Sequence, residues 1–319
     1  MTGSLRLMAV HAHPDDESSK GSATMARYVA EGHDVMVVSC TGGERGDILN
    51  PRLKDNAEIL RDMPEVRRRE MAAAQKILGI QHRWLGFVDS GLPEGDPLPD
   101  LPAGCFALEP MQVTTEALVR EIRAFRPHVI TTYDENGGYP HPDHIMCHNV
   151  TLAALRSAGD SSEYPHAGPA WQPLKLYYDR TFTGGKLLAM HEAIKAMGRE
   201  SPFAEWIKRR QDRPDGRVTT QVQCAEYFGV RERALLAHAT QIDPDGSFFV
   251  IPAKEQGAIW PTEEWDLALS YVAVPNDEDD LFAGLGTAAE ADELAINPPS
   301  APCADDVKQR AVLEAAHGR

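Results

Sequence analysis

Short apolar runs alternate with helix-forming segments over the first 160 residues of the chain. Four runs have the length and aliphatic content of buried strands: 5–11, 35–41, 82–87 and 128–133. The segments with helical patterning are 18–31, 66–78, 114–125 and 142–157. Glycine follows the first two helical segments directly, and Pro142 stands at the start of the last, where a helix tolerates proline. Apolar strands that alternate with helices predict an α/β fold, a mostly parallel sheet with helices on both faces.

The pattern weakens after residue 160. Strands are predicted at 174–180 and 218–224, and helices at 185–197 and 227–240. We therefore expect a core over 1–160 and a smaller C-terminal α/β portion over 161–285. This portion is expected to be continuous with the core and to complete its main cavity. Residues 286–319 are expected to form an acidic, flexible tail, because Asn276 to Asp306 contains no lysine or arginine.

Bulk properties exclude several classes of partner. A formal net charge of −16 argues against binding to nucleic acid or to an anionic membrane. No apolar run is long enough to cross a bilayer, and the N-terminus lacks the features of a signal peptide. The five scattered cysteines are expected to be reduced thiols. These features predict a cytoplasmic protein, and they are compatible with a homo-oligomer.

Two turns rich in histidine and aspartate each follow a predicted strand. Residues 11–17 read His-Ala-His-Pro-Asp-Asp-Glu, and 141–144 read His-Pro-Asp-His. In parallel sheets, ligands bind at the carboxyl ends of strands, where the strand order reverses. His13, Asp16 and His144 supply the three protein ligands of a zinc site that keeps one open position. Fe²⁺ or another divalent ion fits as well, because two histidines and one aspartate select weakly among metals.

The same two turns offer groups for acid–base chemistry. Asp15 stands beside a ligand and is expected to act as general base toward water, although its alternative role is to cap the following helix. His141, if protonated, would stabilise an oxyanion or protonate a leaving amine. Asp143 is expected to orient an imidazole, and Tyr139 to offer its hydroxyl to the oxyanion.

These residues resemble the LmbE/PIG-L family of zinc-dependent N-deacetylases and amidases, which share a Rossmann-like fold. The family motif corresponds to Ala-His-Pro-Asp-Asp-Glu at 12–17 together with His-Pro-Asp-His at 141–144. Longer strings resemble the branch of amidases that act on mycothiol S-conjugates, and this resemblance spans roughly residues 5–285. They include Thr-Gly-Gly-Glu-Arg-Gly-Asp at 41–47 and Ala-His-Ala-Thr-Gln-Ile-Asp-Pro at 237–244.

The resemblance implies roles for the residues of both turns. The metal ligands correspond to His13, Asp16 and His144, and the base corresponds to Asp15. His141 corresponds to the electrostatic or acid group, Asp143 to its partner, and Tyr139 to a mobile tyrosine that contacts the oxyanion.

The implied reaction is hydrolysis of the amide between glucosamine and the S-substituted N-acetylcysteine of a mycothiol conjugate. The products would be a mercapturic acid and glucosaminyl-inositol, and the role would be detoxification. The alternative is deacetylation of N-acetylglucosaminyl-inositol or a related glycoside. A non-catalytic glycoconjugate-binding protein is disfavoured, because a binder has no need of Asp15 and His141.

Substrate contacts are also implied by the resemblance. Arg67 and Asp89 correspond to residues that bind sugar hydroxyls, although Arg67 is alternatively just one of the basic residues in the run 67–69. Lys20 is expected to contact the cysteinyl part of the conjugate. His238 is expected to approach the site from the C-terminal region. Finally, the proline- and glycine-rich stretch 90–110 is expected to form a rim of the active site.

Overall fold

A seven-stranded sheet organises the part of the chain that the computed structural model describes, residues 3–210, 216–299 and 301–303. The order of the strands across the sheet is β3-β2-β1-β4-β5-β7-β6. Strands β1 to β5 pair in parallel, and β7 is antiparallel to both of its neighbours. The strands are β1 (Arg6–His11), β2 (Asp34–Thr41), β3 (Gln81–Phe87), β4 (Val129–Thr132), β5 (Lys175–Asp179), β6 (Thr220–Gln223) and β7 (Thr262–Ser270).

Helices connect and cover the strands. In the described segments they are α1 (Asp16–Ser19), α2 (Ser22–Ala30), α3 (Ala57–Arg61), α4 (Met63–Leu78), α5 (Met111–Phe125), α6 (Pro142–Ala158), α7 (Gly184–Ala196), α8 (Ala204–Arg210), α9 (Phe228–Ala237), α10 (Ala253–Ile259) and α11 (Ala288–Ile296). Strands β1, β2, β4 and β7 are buried along nearly their whole length, which requires cover on both faces of the sheet. Among the described residues, no helix is both long enough and apolar enough to cross a bilayer.

The mostly parallel α/β fold is confirmed, and so are the main elements of the first 160 residues. Helix α4 ends at Gly79, whose φ of +74° is left-handed and whose N–H donates to the Gln75 carbonyl. Helix α6 begins at Pro142, as expected. The chain adds β2 and β3 on one side of β1, and β4 and β5 on the other. The strand order therefore reverses between β1 and β4, the two strands that precede the histidine turns.

The predicted helix over 18–31 is in fact two helices, α1 and α2, separated at Lys20 and Gly21. Gly21 has a φ of +76°, and a Cβ there would lie 2.4 Å from Cη2 of Trp265. A side chain at position 21 would therefore clash with a strand that lies far along the sequence. The predicted helix over 227–240 is also shorter, because α9 ends at Ala237.

Strand β7 was not predicted. Its sequence contains Glu263, Glu264 and Asp266, and all three side chains are buried. Glu263, for example, accepts hydrogen bonds from the backbone N–H and the hydroxyl of Thr24, at 2.8 and 2.7 Å. Hydrogen-bond partners from other elements offset the cost of burying these carboxylates in a strand. The local sequence gives no indication of those partners.

The prediction that residue 286 begins a tail outside the folded core is wrong for the next eleven residues. Helix α11 buries Ala288, Ala291 and Ala295 in the main core. Asp292 accepts from the His128 ring at 2.9 Å and also pairs with Arg6. Residue 300 and residues 304–319 of the predicted tail lie outside the described residues. Strands β5, β6 and β7 lie within 161–285 and extend the same sheet as β1. The division of the chain at residues 160 and 285 stays a prediction.

Gly21→Ala should lower the free energy of unfolding by about 3 kcal/mol, because it combines left-handed strain with a clash against Trp265. Gly32→Ala is the matched control, since Gly32 has a φ of +89° but a Cβ added to it would meet no atom within 4 Å. Its cost should be about 1 kcal/mol, from strain alone. Urea denaturation of both variants measures the difference. Equal losses would contradict the argument that the Trp265 ring sets the break between α1 and α2.

Candidate metal centre and active site

Three side chains from the two histidine turns bring one ligand atom each to a common point. His144 Nε2 lies 3.3 Å from His13 Nδ1, His13 Nδ1 lies 3.5 Å from Asp16 Oδ2, and Asp16 Oδ2 lies 3.4 Å from His144 Nε2. In a tetrahedral zinc site with bonds of about 2.0–2.1 Å, ligand atoms are about 3.3–3.4 Å apart. The near-equilateral triangle therefore fits a tetrahedral divalent cation.

Both imidazoles are held in the tautomer that ligation requires. His144 Nδ1 lies 2.9 Å from the Gly137 carbonyl oxygen, to which it donates, so Nε2 keeps its lone pair. His13 Nε2 lies 3.2 Å from Asp143 Oδ2 and 3.5 Å from Asp89 Oδ1, which leaves Nδ1 to the metal. Gly137 has a φ of +70°, and a Cβ on it would lie 2.6 Å from the His144 Cβ. The turn before α6 thus needs glycine at this position.

The site is electrostatically prepared for a cation. Burial lowers the pKa of His13, but the carboxylates of Asp143, Asp16 and Asp89 raise it well above its ordinary value. Burial raises the pKa of Asp16, while the positive charges of Lys20 and of its histidine neighbours hold it well below the usual range. Buried carboxylates that crowd one imidazole favour any positive charge placed among them.

Asp15 lies beside the ligands in a strained conformation. Its φ of 108° is rare for a residue with a side chain, and such strain concentrates at functional sites. Asp15 occupies the N-cap position of α1, but its side chain makes no capping hydrogen bond, so the alternative role as a helix cap is wrong. Its Oδ2 instead accepts from Arg67 Nη2 at 3.1 Å. Burial raises the pKa of Asp15 despite the opposing charge of Arg67, and this moves it toward the range of a general base.

Glu17 and His238 form a buried pair that contacts the backbone of Asp15. Glu17 Oε2 accepts from the Asp15 N–H at 2.9 Å, and Glu17 Oε1 lies 2.6 Å from His238 Nε2. The side chains of Glu17 and His238 are both 0% exposed. His238 approaches the site, as expected, but its ring contacts Glu17 and is not part of the polar cavity wall. Its direct contact with substrate stays a prediction.

Arg67 differs from its basic neighbours. Its side chain is 3% exposed, against 65% for Arg68 and 59% for Arg69, so it is not simply part of a solvated basic run. It donates to the Pro14 carbonyl at 2.7 Å and to the Gly43 carbonyl at 2.6 Å. Arg67 thereby joins the first histidine turn to the loop after β2, and it lines the adjoining cavity.

Asp89 lines the same cavity, but its carboxylate is already engaged. It accepts from the backbone N–H groups of Arg45 and Gly91, both at 2.8 Å. Burial raises its pKa, whereas the contacts with His13 and these backbone groups lower it far more. Asp89 therefore stays ionised beside the His13 ring. Its contact with a sugar hydroxyl stays a prediction.

A polar cavity opens above the ligands at the carboxyl ends of β1, β2 and β3. It has about 1460 Å³ of empty space, its mouth included. Residues 43–49 after β2 contribute to one wall, and residues 89–94 and 99–102 after β3 contribute to the rim. The first part of the 90–110 stretch therefore lies where it was expected, whereas residues 103–110 do not line the cavity. Tyr139 and His141 close the side next to β4. The cavity is large enough for a glycoside.

His141 is arranged as a neutral hydrogen-bond donor. Its Nδ1 accepts from the Asp143 N–H at 3.1 Å, which leaves the proton on Nε2. Burial, together with the neighbouring His13 and His144, lowers its pKa to about 4. These surroundings favour the neutral form of His141, whereas the acid role was expected only of its protonated form. The Asp143 carboxylate contacts His13 and the Ser90 hydroxyl, so the imidazole that it orients is a ligand and not His141.

Three further side chains complete the surroundings. Tyr139 is 46% exposed at the mouth of the cavity, with its ring 4.7 Å from that of His144. Lys20 Nζ lies 2.5 Å from Asp16 Oδ1 and is not part of the polar cavity wall, so its contact with the cysteinyl group stays a prediction. Tyr133 was not predicted as a site residue, yet its hydroxyl donates to Asp16 Oδ2 at 2.6 Å and accepts from the Ala12 N–H at 2.8 Å. Its only signal was its position at the end of an apolar run.

The fold and the ligand triangle define a class of protein, an α/β enzyme with a candidate metal centre where the strand order reverses. Comparison with known proteins identifies the family. The PIG-L family model, described as GlcNAc-PI de-N-acetylase, matches residues 8–155. Mycothiol S-conjugate amidase of Streptomyces coelicolor is 58% identical over 289 residues, which cover 89% of this chain and 99% of that protein. The chain belongs to the LmbE/PIG-L family, and it is a hydrolytic enzyme.

Further similar proteins include a deacetylase relative and two solved structures. The 1D-myo-inositol 2-acetamido-2-deoxy-alpha-D-glucopyranoside deacetylase of Geodermatophilus obscurus is 40% identical over 89% of this chain and 99% of its own length. N,N'-diacetylchitobiose deacetylase from Pyrococcus horikoshii superposes with a TM-score of 0.55 at 14% identity, covering 82% of this chain and 83% of that one. GalB of Pseudomonas putida, a 4-carboxy-2-hydroxymuconate hydratase, gives 0.57 at 16% identity, over 85% and 99% of the two chains. These last two comparisons show the shared fold alone.

The buried Glu17–His238 pair makes a pH-dependent contribution to stability. Burial raises the pKa of Glu17, but His238 and nearby hydrogen bonds lower it from 4.5 to about 2 in the folded protein. Ionised Glu17 therefore stabilises the fold fully above about pH 4.5, and this contribution is lost as the pH falls toward about 2. The free energy of unfolding of the parent should fall more steeply from about pH 5 to about pH 3 than that of Glu17→Gln. Glu31→Gln, which removes an exposed carboxylate, is the control and should retain the slope of the parent. Parallel curves of unfolding free energy against pH for the parent and Glu17→Gln would contradict a stabilising role for ionised Glu17.

Proposed function

We propose that this enzyme is a divalent-metal-dependent amidase that acts on mycothiol S-conjugates. It hydrolyses the amide between glucosamine and the S-substituted N-acetylcysteine, and the products are a mercapturic acid and glucosaminyl-inositol. The observation that carries the hydrolytic part is the ligand triangle of His13, Asp16 and His144 with the strained Asp15 beside it. The choice of substrate is supported by the 58% identity to the Streptomyces coelicolor enzyme. The proposed role is detoxification.

The cation and the location belong to the proposal as well. Zn²⁺ fits the triangle, and Fe²⁺ takes the same ligands. A cytoplasmic location is supported by the cysteines, all five of which are free thiols. The substrate is a small thiol-glycoside conjugate, with neither nucleic acid nor membrane as partner.

The residues around the triangle have separate tasks in the proposed reaction. When bound, the cation polarises the amide carbonyl and makes water acidic enough to attack at neutral pH. Asp15 accepts the proton of the attacking water and returns it to the glucosamine nitrogen as the carbon–nitrogen bond breaks. His141 donates a hydrogen bond from Nε2 to the oxygen that becomes negative, and the exposed Tyr139 can reach the same atom. Arg67 and Asp89 lie where the sugar hydroxyls would bind.

A second candidate function is deacetylation of N-acetylglucosaminyl-inositol. It is favoured by the polar cavity, which suits the sugar that both substrates share, and by the 40% identity to a deacetylase of that kind. The two functions differ only in the acyl group that is removed.

Substrate preference separates the two candidates. The parent enzyme, loaded with Zn²⁺, should have a kcat/KM for a mycothiol bimane conjugate more than about tenfold above that for N-acetylglucosaminyl-inositol. Steady-state assays on both compounds measure this ratio. A preference for the acetylated sugar would favour deacetylation and overturn the proposal.

Two neighbouring aspartates should separate catalysis from metal binding. Asp15→Asn should keep the metal but lower kcat by about 10²–10⁴-fold, because it removes the proton acceptor. Asp16→Asn should lose most of the bound metal, because it removes a carboxylate ligand. Metal content by mass spectrometry and turnover of the conjugate check both variants. An Asp15→Asn enzyme that keeps full turnover would show that another group is the base.

A further inference from the structure

A second cavity opens at the same edge of the sheet as the polar cavity, on the other side of the metal ligands. Its wall includes Asp179 and Thr181 at the end of β5, and Glu263, Glu264 and Trp265 at the start of β7. Strands β1 and β4, which precede the ligand turns, lie between these strands and the β2–β3 side that forms the polar cavity. The metal ligands therefore separate two cavities along one edge of the sheet.

The second cavity is apolar, in contrast to the first. It has about 800 Å³ of empty space with its mouth included. Its apolar wall is formed by Phe182, Leu187, Met190, Phe203, Phe248 and Ile251. Most of these side chains belong to a small hydrophobic cluster separate from the main core. Such a wall favours an uncharged, apolar ligand group.

One side chain links this cavity to the metal ligands. Lys20 Nζ lies 2.5 Å from Asp16 Oδ1 and 3.2 Å from Ser19 Oγ. Asp16 is a member of the ligand triangle, and Ser19 lines the apolar cavity. The apolar cavity thus begins one hydrogen-bonded side chain away from the metal centre.

Two residues that line the apolar cavity each carry a buried polar atom that has no hydrogen-bond partner in the described part of the chain. These atoms are Asp179 Oδ2, an acceptor, and Trp265 Nε1, a donor. Asp179 and Trp265 are register partners across the β5–β7 ladder, so their side chains lie on the same face of the sheet. Buried polar groups without partners are costly, and a ligand that satisfies both gains that energy. An acceptor next to a donor is complementary to the N–H and C=O of a secondary amide.

We propose that the apolar cavity binds the acyl side of the scissile amide. This inference rests on the proposed function. The S-substituent packs against the apolar wall around Phe248. The N-acetyl amide of the cysteine donates its N–H to Asp179 and accepts from the Trp265 N–H. The glucosaminyl-inositol side occupies the polar cavity, so the scissile bond lies between the two cavities, at the metal.

The first test uses two adjacent phenylalanines of the 3₁₀ turn Ser247–Phe249, both half-buried. Phe248 lines the apolar cavity and Phe249 does not. Phe248→Ala should lower kcat/KM for the bimane conjugate by about tenfold, and it should change kcat/KM for an S-methyl conjugate and for N-acetylglucosaminyl-inositol less than about twofold. Phe249→Ala should leave all three unchanged. Equal losses on all three substrates in Phe248→Ala would overturn the inference.

The second test measures binding without catalysis. The free mercapturic acid of bimane, titrated calorimetrically into the Zn²⁺-loaded enzyme, should bind the parent and bind Trp265→Phe about tenfold more weakly, because that variant retains an aromatic ring but lacks the indole N–H. Phe249→Ala should bind it like the parent. Equal affinities for parent, Phe248→Ala and Trp265→Phe, or no binding to the parent, would overturn the inference. A parent enzyme that hydrolyses no conjugate but binds the mercapturic acid in this cavity would instead contradict the proposed function alone.

Discussion

The structure depends on the crowding of carboxylates around one buried imidazole. His13 lies within 3.5 Å of carboxylate oxygens from Asp16, Asp89 and Asp143, which come from three separate parts of the chain. Their mutual repulsion is relieved by positive charge at the centre, so the site is built to hold a cation. One of these carboxylates follows β1, one follows β3 and one lies in α6. Their shared contact with His13 therefore joins the loops that surround the active site.

The strained backbone of Asp15 is likewise held by residues from other segments of the chain. Asp15 takes a conformation that its side chain disfavours, and the backbone is held there by Glu17, which is in turn held by His238. Arg67 fixes the Asp15 carboxylate from the other side. These contacts join α1, α4 and the end of α9, so the proposed general base is positioned by three distant segments. Such support is what allows a strained residue to persist in a folded protein.

The order of the strands assigns different chemistry to the two sides of the metal centre. Loops after β2 and β3 form a polar cavity, and the β5–β7 edge carries an apolar one. The antiparallel strand β7 makes the second cavity, because it places Trp265 against both Gly21 and Asp179. A doubly wound core that many enzymes share thus gains a distinct second cavity from its C-terminal strands.

The sequence by itself determined the parallel core and the candidate ligands, because apolar runs have the period of strands and both histidine turns follow such runs directly. His13, Asp16 and His144 could be named as candidates from these turns, and the structure brings their ligand atoms together. Only the tertiary structure decided the contacts of Asp143, His141 and His238, the break at Gly21, and the strand β7. Each of these depends on a contact between residues far apart in sequence, such as Trp265 with Gly21 or His238 with Glu17. The local sequence pattern determines which segments favour a strand or a helix. Burial and hydrogen bonding across the fold determine which polar groups have partners.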